Sequence, residues 1–187
     1  MYLNGRGVNK DETTALYLFR KAAEQGYPLG QYNLGRIHRY GLGVNKDRSA
    51  PVHWYRKAAK QGHVYGQCNL GYMYHYGLGI NKSLKAAVHW YFKAAVQGHS
   101  SGQNNLGYIY QYGKGVILDE TAAVYWYHQA ADQGDVIAQY NLGYMYQYGH
   151  GVNTDLTTAA NWYRNIAEQG HANVQWSLDV ITKKLSS

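Results

Sequence analysis

The apolar residues recur along the chain with the three-to-four-residue spacing of an amphipathic helix, and the same pattern returns every 36 residues. In residues 67–76, Leu70, Met73 and Tyr74 stand at i, i+3 and i+4 and share one helical face. We name this element helix A, and it is predicted to run from a recurring glutamine to a recurring tyrosine. A second element, helix B, is predicted to begin after a side chain that favours a helix start, namely Asp11, Asp47, Ser83, Asp119 or Asp155.

The long period divides most of the chain into four blocks without insertion or deletion, 31–66, 67–102, 103–138 and 139–174. Each block contains Asn-Leu-Gly, Tyr-Gly-x-Gly, Trp-Tyr and Gln-Gly at fixed offsets. Residues 1–30 match the last part of another copy, and residues 175–187 begin a further one. Because Asp179 replaces a glycine there, we expect 175–187 to form a C-terminal capping helix. Neither helix buries its apolar stripe alone, so the repeats are predicted to stack into a single all-α solenoid domain over 1–187.

The glycines support this phase, since all 22 fall on just five positions of the repeat. Those after helix B are typical of a left-handed C-cap, and ten others form the Gly-x-Gly turns. Four more lie inside helix A, where glycine costs about 1 kcal/mol relative to alanine. We therefore predict that another helix approaches helix A closely at Gly35, Gly71, Gly107 and Gly143.

Composition and charge narrow the classes of function. The 45% hydrophobic content suffices for a packed core, and the net charge of +7 is spread along the chain rather than clustered. This charge favours an acidic partner, and because the basic residues are scattered, nucleic acid is the less favoured alternative. One cysteine, Cys68, excludes an internal disulfide. Without an apolar run of membrane-spanning length or a signal-peptide core in residues 1–10, the chain as given is predicted to be soluble, and no compartment is indicated.

The residues resemble a known repeat family. Residues 87–98, Ala-Val-His-Trp-Tyr-Phe-Lys-Ala-Ala-Val-Gln-Gly, followed by Asn-Leu-Gly-Tyr-x-Tyr, resemble the Sel1-like repeat, a relative of the tetratricopeptide repeat. The resemblance covers essentially the whole chain. It implies a right-handed superhelix whose concave face, lined by the A helices, gathers protein partners. One bacterial branch, linked to β-lactam binding, carries a cysteine pair in each repeat, and this chain departs from it.

The sequence gives little support for a nucleotide site, a metal site or a catalytic site. The Gly-x-Gly turns lack the preceding strand and third glycine of a dinucleotide site. His63, His99 and His171 follow the Gln-Gly corners, and His53 and His89 lie in helix B, but repeat spacing separates them beyond the reach of one metal ion. Four of the 11 acidic residues are helix-cap candidates, and nothing in the sequence activates Cys68. We therefore predict no catalytic site, no metal and no cofactor.

The second, sixth and ninth positions of helix A share a face and vary from repeat to repeat, whereas the core positions recur. Tyr74, Tyr110 and Tyr146, with the Trp-Tyr pairs of helix B, are assigned to the core by their period. By resemblance, the variable face binds a partner, and its aromatic and polar side chains suit a protein interface. An ordinary solvated face remains the alternative. The twelve residues are Tyr32, Arg36, Arg39, Cys68, Tyr72, His75, Asn104, Tyr108, Gln111, Tyr140, Tyr144 and Gln147.

A neighbouring ladder, Asn33, Asn69, Asn105 and Asn141, either bridges adjacent repeats or contacts a ligand backbone. The leading hypothesis is a monomeric, non-enzymatic adaptor that binds a peptide or protein domain, with Arg36 and Arg39 attracting an acidic group. A basic solenoid that binds nucleic acid or glycan is one alternative. Another is an enzyme regulator, or a fragment of a longer protein with a separate catalytic domain, because the chain starts in mid-repeat.

Overall fold

The protein is described here by a computed structural model that covers residues 12–42, 49–171 and 174–185. Within these ranges the chain forms ten α-helices and no strand, which confirms the predicted all-α repeat solenoid. Helix B and helix A alternate, beginning with helix B. The helices are α1 (Glu12–Glu24), α2 (Pro28–Tyr40), α3 (Ala50–Lys60), α4 (Val64–Tyr76), α5 (Leu84–Ala95), α6 (Ser100–Gln111), α7 (Glu120–Ala131), α8 (Val136–Tyr148), α9 (Leu156–Glu168) and α10 (Gln175–Leu185).

The chain divides into two compact units, Met1–Ala94 and Ala95–Ser187, called here the N-terminal and C-terminal units. In the N-terminal unit, α2 packs against α1 and α3, and α3 packs against α4. In the C-terminal unit, the same order of packing runs from α6 through α10. None of the described helices is long and apolar enough to cross a membrane.

In α2, α4, α6 and α8, helix A begins three residues earlier than the sequence predicts. For example, α4 starts at Val64 and not at Gln67. The residue before it, His63, caps the helix, because its Nδ1 accepts the N–H of Gly66 at 3.2 Å. His99 caps α6 and Asp135 caps α8 in the same way. Histidine is not a preferred N-cap residue, so the sequence carried no signal for the two starts that histidine caps.

The predicted caps of helix B are confirmed where the structure describes them. Ser83 Oγ accepts the N–H of Ala86, Asp119 Oδ1 that of Ala122 and Asp155 Oδ1 that of Thr158. Asp11 and Asp47 lie outside the described residues. Helix α3 begins at Ala50, two residues later than a cap at Asp47 predicts. Pro51 explains this start, because its fixed φ and missing N–H suit the first helical turn.

The predicted close approach between helices is confirmed at all four helix-A glycines. A Cβ built on Gly107 would lie 2.7 Å from Cδ1 of Tyr127, and the other three glycines meet a tyrosine ring within 2.8 Å. These helix-B tyrosines, Tyr55, Tyr91, Tyr127 and Tyr163, are at most 1% exposed and form the largest side chains of the core. Each repeat thus locks an aromatic ring of helix B into a gap that only glycine leaves open.

The helix-A tyrosines are less buried than predicted. Tyr74, Tyr110 and Tyr146 pack against the core but remain half-buried, since their hydroxyls reach outward. Tyr74 accepts a hydrogen bond from Nη2 of Arg56 at 3.2 Å, and the Tyr146 hydroxyl lies 3.1 Å from Nε2 of His128. A tyrosine can bury its ring edge and still keep its polar end at the surface.

A ladder of buried glutamines, whose structural role the sequence analysis did not identify, holds successive helices together. In each repeat the first glutamine of the predicted block donates from Nε2 to a carbonyl at the end of the preceding helix B, as Gln139 does to Ala131 at 3.3 Å. Its Oε1 accepts from the glutamine of the next Gln-Gly corner, as Gln139 does from Gln169 at 3.1 Å. The same bonds occur at Gln31 with Gln61 and at Gln103 with Gln133.

Candidate functional site

The twelve residues of the predicted partner-binding face do not share one degree of exposure. Arg36 and Tyr140 are exposed, and Tyr32, Arg39, Tyr72, Tyr108, Gln111 and Tyr144 are half-buried. Cys68, His75, Asn104 and Gln147 are between 5% and 9% exposed and belong to the interior of their units. The variable face of helix A therefore contributes to both the surface and the core. Contact between its exposed residues and a partner remains a prediction.

In the N-terminal unit, Arg39 occupies the centre of a polar and aromatic cluster. Its Nη1 donates to Oδ1 of Asn69 at 2.8 Å, from one repeat to the next. The guanidinium carbon lies 4.7 Å from the ring centroid of Tyr72 and 5.4 Å from that of Tyr40. Two cation–π contacts and a hydrogen bond thus hold this guanidinium in place. Arg36, one turn earlier, lies over Tyr32 at 5.8 Å.

Pairs of tyrosines lie along the partly exposed side of helix A, four residues apart. Their ring centroids are 4.6 Å apart for Tyr72–Tyr76, 4.8 Å for Tyr108–Tyr112 and 4.7 Å for Tyr144–Tyr148. The second member of each pair is more than half exposed, at 53% or 54%. The sequence analysis missed these second tyrosines, because their recurrence in every repeat marked them as part of the structural pattern.

The Gly-x-Gly turns add a basic side chain to two of these pairs. Lys114 Nζ lies 4.4 Å from the ring centroid of Tyr108 and donates to its hydroxyl at 2.6 Å. The His150 ring stacks on Tyr144 at 5.6 Å, and its Nδ1 lies 3.0 Å from Oε1 of Glu120. The described turn glycines Gly113 and Gly149 are left-handed, with φ of 60° and 74°. The residue between the two glycines of each turn, which the sequence analysis did not consider, faces the tyrosine pair.

The asparagine ladder bridges repeats where the structure records its partners. Asn69 accepts from Arg39, and Asn141 Nδ2 donates to Oδ1 of Asn104 at 3.0 Å. Asn33 and Asn69 also donate to carbonyls in the preceding turn of their own helices. Asn105 is half-buried. These bonds favour the structural interpretation of the ladder, and contact with a ligand stays untested.

Two of the buried helix-B tyrosines have an acceptor for the hydroxyl proton among the described residues, and the other two have none there. Tyr127 donates to Oε1 of Gln111 at 2.7 Å, and Tyr163 donates to Oε1 of Gln147 at 3.0 Å. The hydroxyls of Tyr55 and Tyr91 are buried and make no hydrogen bond to any described residue. Burial raises the pKa of all four hydroxyls above the ordinary value. All four therefore remain protonated donors at neutral pH.

The described residues contain no group of three or more His, Cys, Asp or Glu side chains that could hold a metal ion. Burial lowers the pKa of His63 and of His99, the two histidines that cap helices. The arrangement of the site offers tyrosine faces, hydroxyls and cations, which are groups for recognition.

Comparison with known proteins places this geometry in a family. The Sel1 repeat model matches five consecutive segments, 1–27, 28–63, 64–99, 100–135 and 136–171. The chain belongs to the Sel1 repeat family. Four of the matched segments begin where a helix A begins, at Pro28, Val64, Ser100 and Val136. Sel1 repeat proteins generally mediate protein–protein interactions, and their fold is typically a non-catalytic scaffold.

Solved structures of Sel1 repeat proteins agree with this assignment. A protective antigen of uropathogenic Escherichia coli strains that displays an SLR fold is 38% identical, with a TM-score of 0.91 over 100% of this chain and 40% of that chain. This chain thus spans about two fifths of that protein's length. A Sel1 repeat protein from Oxalobacter formigenes is 36% identical, with a TM-score of 0.88 over 95% of this chain and 70% of that chain.

A more distant neighbour is the Helicobacter pylori cysteine rich protein B, with 27% identity and a TM-score of 0.55 over 69% of this chain and 92% of that chain. This chain has a single, buried cysteine, Cys68. Comparison with curated protein sequences gives no significant match.

Proposed function

We propose that this Sel1 repeat chain is a non-enzymatic adaptor that binds a peptide or protein domain through the partly exposed side of its A helices, which carries the tyrosine pairs. The observation that carries the proposal is the tyrosine pair with an adjacent basic side chain, which recurs in three successive repeats. Arg39 lies over Tyr72, Lys114 over Tyr108, and His150 on Tyr144. The second ring of each pair, in Tyr76, Tyr112 and Tyr148, is more than half exposed.

The chemistry of the pairs suits protein recognition. Tyrosine offers a large, rigid contact area at a low cost in conformational entropy, and its hydroxyl can bond to a peptide backbone. A neighbouring cation adds affinity for acidic groups and for aromatic faces. Within the C-terminal unit, an extended peptide or a helix would meet one such pair in each of two successive repeats.

The distribution of charge supports an acidic partner on the N-terminal unit. Residues 1–94 contain 14 of the 18 Lys and Arg residues and four of the 11 acidic ones, for a formal net charge of +10. Residues 95–187 carry a formal net charge of −3. An acidic segment is therefore attracted to the unit that contains Arg36 and Arg39.

A peptide-display selection with the wild-type chain tests the proposal. Selected peptides are measured against Tyr112→Ala and Tyr148→Ala, combined in one variant, and against Tyr125→Ala as the matched control. Tyr125 is 55% exposed, like the two target tyrosines, but lies on helix B. We expect at least about a tenfold loss of affinity in the double variant and less than about a twofold loss in the control. Equal affinities for all three proteins, or the absence of any selected peptide, contradict the proposal.

A further inference from the structure

The ninth position of helix A differs between the two units. It is Gln111 and Gln147 in the C-terminal unit, where each glutamine accepts the hydroxyl proton of a buried tyrosine sixteen residues later. In the N-terminal unit the same position holds Arg39 and His75. The corresponding tyrosines, Tyr55 and Tyr91, are both 0% exposed and their hydroxyls make no hydrogen bond to a described residue.

Arg39 cannot take over the role of the glutamine, because a guanidinium donates hydrogen bonds and never accepts them. Burial raises the pKa of Tyr55, and the charge of Arg39 has a smaller effect that lowers it. Burial also raises the pKa of Tyr91, and the charge of Arg39 again has a smaller effect that lowers it. A tyrosine hydroxyl can accept a hydrogen bond from a guanidinium, but the hydroxyl protons of Tyr55 and Tyr91 have no acceptor among the described residues. A buried donor without an acceptor is rare in folded proteins.

Contacts with neighbouring side chains also fix the position of the Arg39 guanidinium. Asn69 fixes one nitrogen, Nη1, at 2.8 Å, while Tyr72 and Tyr40 support the flat faces at 4.7 and 5.4 Å. A guanidinium has five N–H donors, and the bond to Asn69 uses one of them. Arg39 is half-buried, so its remaining edge is partly desolvated and still reachable. An anion bound there loses less to solvent screening than at a fully exposed arginine.

We propose that Arg39, held by Asn69 and Tyr72, is a subsite for the side-chain carboxylate of a glutamate or aspartate in a bound acidic peptide. The inference rests on the proposed function and names the chemistry that the N-terminal unit selects. A carboxylate supplies acceptor oxygens only, and it pairs with a guanidinium through two parallel hydrogen bonds. Its oxygens provide the acceptor that the glutamine provides in the C-terminal unit. The +10 charge of residues 1–94 draws the acidic segment to this unit.

Two matched substitutions separate this subsite from the general charge of the unit. Arg39→Gln and Lys57→Gln each remove one positive charge from the N-terminal unit, and each introduces the residue that the C-terminal unit has at the equivalent position, Gln111 and Gln129. Lys57 is exposed on helix B. The probe is a fluorescent peptide of six glutamates, titrated by anisotropy, with a peptide of six glutamines as competitor. We expect Arg39→Gln to weaken binding by at least about tenfold and Lys57→Gln by less than about twofold, with no competition by glutamine.

A third variant keeps the charge and tests the geometry. Arg39→Lys retains a cation but loses the two-pronged pairing, so we expect several-fold weaker binding. The thermal midpoint of each free protein verifies folding, and the glutamine introduced by Arg39→Gln can accept the hydroxyl proton of Tyr55 as Gln111 accepts that of Tyr127. Equal losses in Arg39→Gln and Lys57→Gln, wild-type affinity in Arg39→Lys, or no preference of the wild type for glutamate over glutamine overturn the subsite. Such results leave peptide binding by the tyrosine pairs to its own test.

Discussion

The ring of Tyr127 lies so close to Gly107 that a Cβ on this glycine would come within 2.7 Å of the tyrosine Cδ1. The contact joins helix A to helix B inside one repeat. It recurs at Gly35, Gly71 and Gly143 with the buried tyrosine of the same repeat. Glycine at this position weakens helix A, but it leaves the space in which the tyrosine ring of helix B packs.

Replacing this glycine with alanine tests that dependence. Gly107→Ala gains up to about 1 kcal/mol in helix propensity. The added methyl group must displace a tyrosine that is 0% exposed, so we expect a net loss of about 1–3 kcal/mol in the free energy of unfolding, measured by urea denaturation. Ser101→Ala, at an exposed position of the same helix, should change stability by less than about 0.5 kcal/mol. An unchanged or more stable Gly107→Ala protein contradicts the packing argument.

The four buried tyrosine hydroxyls should differ in their contribution to stability. Tyr127→Phe removes a 2.7 Å hydrogen bond and leaves the Gln111 carbonyl without its donor, so we expect a loss of about 1 kcal/mol. Tyr91→Phe removes a buried hydroxyl that has no described partner, so the free energy of unfolding should stay the same or rise. Each variant is the control for the other in the same denaturation experiment. A loss in Tyr91→Phe as large as that in Tyr127→Phe would show that Tyr91 has an acceptor.

The glutamine ladder should stabilise the stack of repeats. Gln139→Leu removes one hydrogen bond to the Ala131 carbonyl and another from Gln169, at 3.3 and 3.1 Å. Because both partners lose a bond at a site that is only 5% exposed, we expect a loss of about 1–3 kcal/mol in the free energy of unfolding. The control, Gln129→Leu, changes an exposed glutamine of α7 and should have little effect. If both variants are equally stable, the ladder contributes nothing.

The histidine caps should make stability depend on pH. Burial lowers the pKa of His63 from its ordinary value of 6.5, so the unfolded chain binds this proton more readily than the folded chain. The contribution of neutral His63 is therefore complete above pH 6.5 and is lost as the pH falls below that value toward the folded-state pKa. Protonation also removes the Nδ1 acceptor of the Gly66 N–H. A thermal midpoint series between about pH 8 and pH 5 measures the loss.

Asparagine at position 63 removes the titrating group and keeps a capping side chain. We expect His63→Asn to reduce the fall in thermal midpoint on acidification, whereas His89→Asn, at an exposed position of α5, should leave it unchanged. The same fall in His63→Asn and the wild type would assign the pH dependence to other groups.

Part of the candidate site follows from helical periodicity. The variable face identified Tyr72, Tyr108 and Tyr144 as partly exposed, because side chains four or seven residues apart share one side of a helix. Periodicity alone did not distinguish them from His75 and Gln147, which lie on the same face but are buried. Whether a position on that face is covered depends on the next helix.

The sequence by itself determined the helical class, the 36-residue period, the caps at Ser83, Asp119 and Asp155 and the close approach at the helix-A glycines. These features depend on local spacing, capping chemistry and side-chain size, which a single repeat encodes. Only the tertiary structure decided the early start of helix A after His63, the glutamine ladder, and the seating of Lys114 and His150 on the tyrosine pairs. Each of these contacts depends on where a turn or a neighbouring helix comes to lie, and the spacing of residues along the chain does not specify that distance.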